Sequence, residues 1–224
     1  MFQLRPYQAE AKQAILTAWD EGFRKTLLVL PTGCGKTIVF SSVTETQVNK
    51  GHRVLIMAHR GELLEQAADK LKAASGIDSV LEKAESTSLG SMFPVTVGSV
   101  QSLAQAKRLA RFPSDYFQDI IVDEAHHCLS DSYKNILEHF PDANILGVTA
   151  TPDRGDRRNL GEFFDSLAYE YSKGVAAYRC HKTNMICTCL AVTDAVVRPV
   201  IDDRVTDLGL VSVVLNPDAR HGQF

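Results

Sequence analysis

Thr26-Leu27-Leu28-Val29-Leu30-Pro31-Thr32-Gly33-Cys34-Gly35-Lys36-Thr37 is the stretch on which the fold turns. Thr26 to Leu30 is a short apolar run with β-branched members, the pattern of a strand buried on both faces. It passes directly into Pro31–Thr37 and then into Ile38-Val39-Phe40, the apolar start of a helix. Strand, glycine loop and helix N-terminus in succession make an anion site. Gly33 and Gly35 let backbone N–H groups curl around a phosphate, and the helix dipole adds favourable potential. In such a loop Lys36 reaches the β- and γ-phosphates and the Thr37 hydroxyl sits on Mg²⁺. The general pattern has a glycine where this chain has Leu30, so the strict motif fails at one position. A Gly-x-Gly-Lys-Thr run between a strand and a helix still outweighs a chance turn. Pro31, Thr32, Gly33, Cys34, Gly35, Lys36 and Thr37 are therefore expected to hold a nucleotide phosphate.

Upstream, Arg5-Pro6-Tyr7-Gln8 opens a predicted helix running to about Glu21, with Pro6 suited to the first turn. Ala11, Ala14, Ile15, Ala18 and Trp19 follow the spacing of one packed face. Gln8 is read as lying outside that stripe. Its amide offers a donor and an acceptor together, which is what an adenine edge asks for.

Downstream, Ile120-Ile121-Val122-Asp123-Glu124-Ala125-His126-His127 carries the second informative pattern. An apolar strand delivers two adjacent acidic residues to its carboxyl end. Asp123 can hold Mg²⁺ through water, and Glu124 can orient or deprotonate an attacking water. An Asp-Glu pair alone is more often a strand-end turn. Together with Lys36-Thr37 it reads as function. Asn144 to Pro152 repeats the plan, a strand followed by Thr149 and Thr151, whose hydroxyls can reach the acidic turn or His126.

Between these lie Val54–Ala58, a strand leading to His59-Arg60-Gly61 and an amphipathic helix from about Glu62, and Pro94–Val100, a strand ending in Gly98-Ser99. His59 and Arg60 thus sit at a strand's carboxyl end, where open α/β sheets bind ligands. Residues 75–92 read as loop with a weak strand at 78–83. A further helix carries Lys107, Arg108 and Arg111, a basic group that reads as a solvated face more readily than as a binding patch. Strands alternating with helices predict an α/β fold, a parallel sheet with helices on both faces.

Composition sets outer bounds. The 224 residues suit one large domain or a domain with an appendage, and 45% hydrophobic with 23% charged residues is ordinary for a globular protein. A net charge of −3 gives no global sign of a polyanion partner, so any nucleic-acid surface is local. No apolar run reaches the ~18 residues of a membrane span. Met1–Pro6 lacks the plan of a signal peptide, and five scattered cysteines suit a reducing compartment, so a cytoplasmic protein with no membrane partner is expected.

In order and wording these motifs resemble the first RecA-like lobe of superfamily 2 helicases of the DEAD/DEAH-box type. Among these, the chain looks most like the bacterial and phage proteins allied to type III restriction helicase subunits and the RadD repair protein. Arg5-Pro6-Tyr7-Gln8 matches the adenine-reading entry motif, and Leu30–Thr37 matches motif I, in which these helicases typically lack the first glycine. Ala58–Leu63 matches motif Ia, Val97–Ser102 motif Ib, Asp123-Glu124-Ala125-His126 motif II, and Thr149-Ala150-Thr151-Pro152 motif III. The resemblance covers residues 3–171 and implies a three-layer RecA-like P-loop domain with a mainly parallel sheet. It implies ATP and Mg²⁺ as cofactors. Gln8 would read adenine with Arg5 as a helper, and His126, Thr149 and Thr151 would couple nucleotide state to nucleic-acid contacts. His59, Arg60, Gly98 and Ser99 would hold a nucleic-acid backbone, DNA in preference to RNA, without reading its sequence.

The family places a second RecA-like lobe after the first, supplying arginines to the ATP. Residues 172–224 show no match to its motifs and read as a linker or incomplete C-terminal extension, so the second lobe is expected elsewhere, in cis or in trans. Cys180, His181, Cys187 and Cys189 lack zinc-knuckle spacing, and Met185–Val192 reads as a short strand with free thiols. The expected function is the ATP-binding lobe of a helicase or translocase. The alternative is a nucleotide-binding regulatory or scaffold module with little catalysis of its own.

Overall fold

The computed structural model describes residues 3–58, 62–84, 86–150 and 160–171. Seven strands form one sheet: β1 (Lys25–Val29), β2 (Val54–Ala58), β3 (Ser79–Glu82), β4 (Val95–Ser99), β5 (Asp119–Asp123), β6 (Asn144–Thr149) and β7 (Ser166–Glu170). Their spatial order is β3-β4-β2-β5-β6-β1-β7, and every pairing is parallel. The mainly parallel sheet expected from the sequence is thus wholly parallel across its described strands. All strand carboxyl ends consequently lie along one edge.

Alternation along each strand sends side chains to two cores. Leu28, Val54, Ile56, Val95, Val97, Ile121, Leu146 and Val148 face one way, against α1 (Pro6–Asp20), α2 (Lys36–Asn49) and α3 (Glu62–Ser75). Their neighbours Leu27, Val29, Leu55, Met57, Ile120, Val122 and Ile145 face the other way, against α4 (Val100–Leu103), α5 (Ala106–Leu109) and α6 (Asp131–His139). Each such side chain, fully buried, contributes about 1.5–3 kcal/mol of transfer free energy. Both sheet faces are covered, which is why the strands read as continuous apolar runs.

Several expectations need correction. Gln8 lies on the packed face of α1, not outside it, and is only 4% exposed. It sits three residues before Ala11 and seven before Ile15, so helical geometry places it on their stripe. Its burial is tolerated because both ends of its amide find partners. The helix expected to carry Lys107, Arg108 and Arg111 is two single turns, broken where Gln105 adopts an extended backbone. Arg108 belongs neither to a solvated face nor to a binding patch. It donates to Glu82 Oε1 at 2.5 Å and to the carbonyls of Ser86 and Ala84. Glu82 is fully buried and also accepts from the Ser88 backbone N–H and hydroxyl. One carboxylate thereby organises much of the loop after β3. The sequence reading also passed over α6 and β7.

The expected boundary after residue 171 falls at the end of the described residues. The strand expected at Met185–Val192 and the group Cys180, His181, Cys187 and Cys189 lie outside them.

Candidate nucleotide site

The phosphate loop links the end of β1 to the start of α2. Gly33 and Gly35 have φ of +84° and +79°, the left-handed region that glycine enters at no steric cost. Gly35 is the N-cap of α2, so the first free N–H groups of that helix open onto the loop. Pro31 and Cys34 are buried, Thr32 and Gly33 exposed, and Lys36 and Thr37 half-buried at the first turn. The loop is held from one side by α1. Tyr7 Oη donates to the Cys34 carbonyl at 3.0 Å, and Gln8 Nε2 donates to the same oxygen at 3.1 Å. Gln8 Oε1 accepts from the Arg5 backbone N–H at 2.9 Å, the reach-back half of a capping box. Arg5 Nη1 lies 3.5 Å from the Tyr7 hydroxyl. Tyr7 is the residue here to which the sequence reading assigned no role, although it stands inside the quoted entry motif.

Asp123 ends β5, and β5 is separated from β1 by β6 alone. Burial raises the Asp123 carboxyl above its usual range, and the adjacent Glu124 charge raises it further. The Glu124 backbone N–H, 3.1 Å from Asp123 Oδ1, acts in the opposite sense, as do Lys36 and Lys70. Lys36 is therefore near enough to feel Asp123 across the strand ends. A buried Asp123 carboxyl whose charge is disfavoured by burial and by its acidic neighbour fits a site for a divalent cation, whose charge would offset that cost. Glu124 has φ +57°, a left-handed conformation unusual for a residue with a side chain, and the chain then enters a 3₁₀ turn, Ala125–Leu129. Backbone strain of this kind costs on the order of 1–3 kcal/mol and collects at working sites. The His126 Nδ1 lies 3.8 Å from Glu124 Oε2, and its ring is 4.2 Å from that of His127.

Thr149 ends β6 between these two groups. It is buried, and its carbonyl accepts from the Leu30 N–H at 3.0 Å, tying β6 to the entrance of the phosphate loop. Gly98 and Ser99 close β4 further along the same edge. Ser99 is buried and is the N-cap of α4, and a Cβ on Gly98 would meet Leu103 at 2.6 Å and Leu55 at 3.0 Å. Gly98 is thus required by packing as well as suited to a backbone contact. His59, Arg60 and Thr151 lie outside the described residues.

Three proteins illustrate what the chain is similar to in sequence. The irc3 protein of Schizosaccharomyces pombe, named as a candidate mitochondrial ATP-dependent helicase, is 36% identical over 75% of this chain and 29% of its own length. The DNA 3'-5' translocase XPB2 of Sulfurisphaera tokodaii is 29% identical over 70% of this chain and 33% of its own. The EcoAI type I restriction endonuclease subunit of Escherichia coli is 27% identical over 75% and 22%. The chain thus spans at most about a third of the length of these relatives. Among solved structures, the Pyrococcus furiosus Hef helicase domain superposes with a TM-score of 0.61, at 22% identity over 79% of this chain and 40% of that one. The Sulfolobus solfataricus SWI2/SNF2 ATPase core, solved with double-stranded DNA, superposes at 0.57, with 19% identity over 73% and 36%. These two likenesses establish the RecA-like fold. With the phosphate loop, the acidic strand end and the motif order in place, and with the family description "Type III restriction enzyme, res subunit" matching residues 1–154, the chain belongs to that family, as a first RecA-like lobe of the superfamily 2 type.

Proposed function

We propose that this lobe hydrolyses ATP with Mg²⁺ as part of a DNA translocase or helicase, and that a second RecA-like lobe, in cis or in trans, completes the catalytic site. The observation that carries the proposal is the placement of the phosphate loop, at the end of β1, and of Asp123, at the end of β5, on one edge of a parallel sheet with only β6 between them, tied by the Leu30 N–H to the Thr149 carbonyl. It supports the phosphate loop and the acidic pair as one site. The Gly33 and Gly35 region would cradle the phosphates, with Lys36 on the β- and γ-phosphates. Thr37 and Asp123 would hold Mg²⁺, which supplies charge neutralisation at the transferring phosphoryl group. Glu124 would orient and deprotonate the attacking water. Gln8 keeps a second lone pair on Oε1 and a weakly used N–H, 3.5 Å from Tyr7 Oη, with which to meet an adenine edge. His126, Thr149 and Thr151 would relay nucleotide state along the strand ends to His59, Arg60, Gly98 and Ser99, and those residues would grip a nucleic-acid backbone. DNA is favoured over RNA because the translocase named above is a DNA enzyme and the SWI2/SNF2 core was solved with DNA.

Glu124→Gln and Lys36→Ala test the division of roles. The first variant should bind Mg-ATP like the parent and lose most hydrolysis, because the carboxylate acts on water and not on the bound nucleotide. The second should weaken binding itself. Indistinguishable nucleotide titrations for the two variants would refute the assignment.

A further inference from the structure

We propose that Tyr171 is a positioning residue for the phosphate loop, acting through Tyr7. This rests on the reading of that loop as a nucleotide site. The Cys34–Gly35 peptide is trans, as are all the described peptide bonds. In a trans peptide the carbonyl and the following N–H point in opposite directions. Tyr7 Oη and Gln8 Nε2, both from the first turn of α1, pin the Cys34 carbonyl toward that helix. The Gly35 N–H is thereby aimed away from α1, onto the side of the loop where an anion is received. Pinning one oxygen sets the direction of one of the donors that define the site.

A tyrosine hydroxyl holds such a position only if its ring is held. The Tyr7 ring is 3% exposed and lies against Tyr171, with centroids 4.4 Å apart and planes 14° from parallel. Tyr171 is equally buried, and its backbone N–H donates to the carbonyl of Val29 at 3.0 Å, the last residue of β1. Tyr169 continues the stack at 6.3 Å and donates its hydroxyl to Glu10 on α1 at 2.9 Å. The ring that steadies Tyr7 is therefore itself fixed to the strand that enters the loop. This relay of β1, Tyr171, Tyr7 and Cys34 runs apart from Lys36, Asp123 and Glu124. It joins the phosphate loop to the point where the chain leaves β7.

The test is calorimetric titration of the full 224-residue chain with Mg-ATP, Mg-GTP and inorganic tripolyphosphate. Tyr7→Phe keeps the ring and the stack and removes only the hydroxyl. It should weaken all three ligands by the same factor, about three- to tenfold, the worth of one hydrogen bond. Tyr171→Leu should weaken all three similarly, Tyr171→Phe should restore parent affinity, and the Tyr7→Phe, Tyr171→Leu pair should lose less than the two losses combined. A stack that merely fills the core would leave Tyr7→Phe at parent affinity for all three ligands, and that result overturns the inference even where Tyr171→Leu fails to fold. A loss confined to ATP overturns it as well, since Tyr7 would then be a base contact. A parent chain that binds none of the three refutes the nucleotide site itself, a result separate from either of these.

Discussion

Gly35→Ala measures how tightly α1 closes on the phosphate loop. Two costs are legible in the structure. At φ +79° an alanine occupies the left-handed region, at about 1–2 kcal/mol. Its Cβ would also lie 2.5 Å from Gln8 Nε2, too close for both to stay. Gln8 must withdraw, and its 3.1 Å bond to the Cys34 carbonyl goes with it, adding about 0.5–1.5 kcal/mol. The total is about 1.5–3.5 kcal/mol, equivalent to a fall of roughly 3–14 °C in Tm for a chain of this size. Gly22→Ala supplies the reference, since Gly22 has φ +94° and nothing within 4 Å of a built Cβ. It should show the backbone cost alone. Thermal and urea unfolding followed by circular dichroism would compare the two variants with the parent. If Gly35→Ala is no less stable than Gly22→Ala, Gln8 is not displaced, and the close approach of α1 to the loop is refuted.

Other expectations follow from the same contacts. Arg108→Ala leaves the fully buried Glu82 without its cation and should cost about 3–5 kcal/mol in urea unfolding; a change below about 1 kcal/mol would return Arg108 to the solvated surface. Asp123 has a raised folded pKa, so the ligand-free protein bears the cost of that buried charge above the folded value and sheds it as pH falls toward the ordinary aspartate range. Asp123→Asn should therefore stabilise the ligand-free protein at neutral pH, with the advantage vanishing in acid, while removing Mg²⁺-dependent nucleotide affinity; destabilisation at neutral pH would contradict the cause assigned to the shift. An arginine supplied by a partner domain is worth roughly 10³–10⁵ in phosphoryl-transfer rate, so the 224-residue chain should turn over ATP slowly, with little stimulation by DNA. Rapid, DNA-stimulated turnover by a verified monomer would show that the chain completes its own site.

The strands were legible where the physics is local. Val54–Ala58 is five apolar residues between polar turns, and it is β2 residue for residue. The phosphate loop and the acidic strand end were legible for a related reason, since their chemistry requires particular residue types at fixed spacing. Gln8 was misplaced because a polar side chain was assumed to leave the packed face. The sequence did hold the correcting sign, a glutamine at the third helical position after Arg5-Pro6, where a side chain can reach back to cap the helix. In α6, Tyr133, Ile136 and Leu137 follow helical spacing, and that signal went unread. Strand β7 gave less, for its residues are largely half-exposed and it carries no continuous apolar run. Arg108 could not have been placed from sequence, because its partner Glu82 is 26 positions away and meets it only once β3 and α5 have packed.

The strand order also dictates when the phosphate loop can come into being during synthesis. β1 emerges early, yet its two hydrogen-bonded neighbours are β6 and β7, which pair Lys25 with Ile145 and Thr26 with Ser166. Until those segments have been made, the strand that launches the loop has neither flank of its sheet. β2, β3, β4 and β5 can pair among themselves from residues already made, leaving β1 and its apolar side chains waiting. Such sequence-distant parallel pairings are slow to form and leave unpaired edges exposed meanwhile. A nascent chain shortened before β6 would carry the entire Gly33–Thr37 motif and still have no nucleotide site. In this lobe the phosphate-loop sequence is translated early and is among the last to become structure.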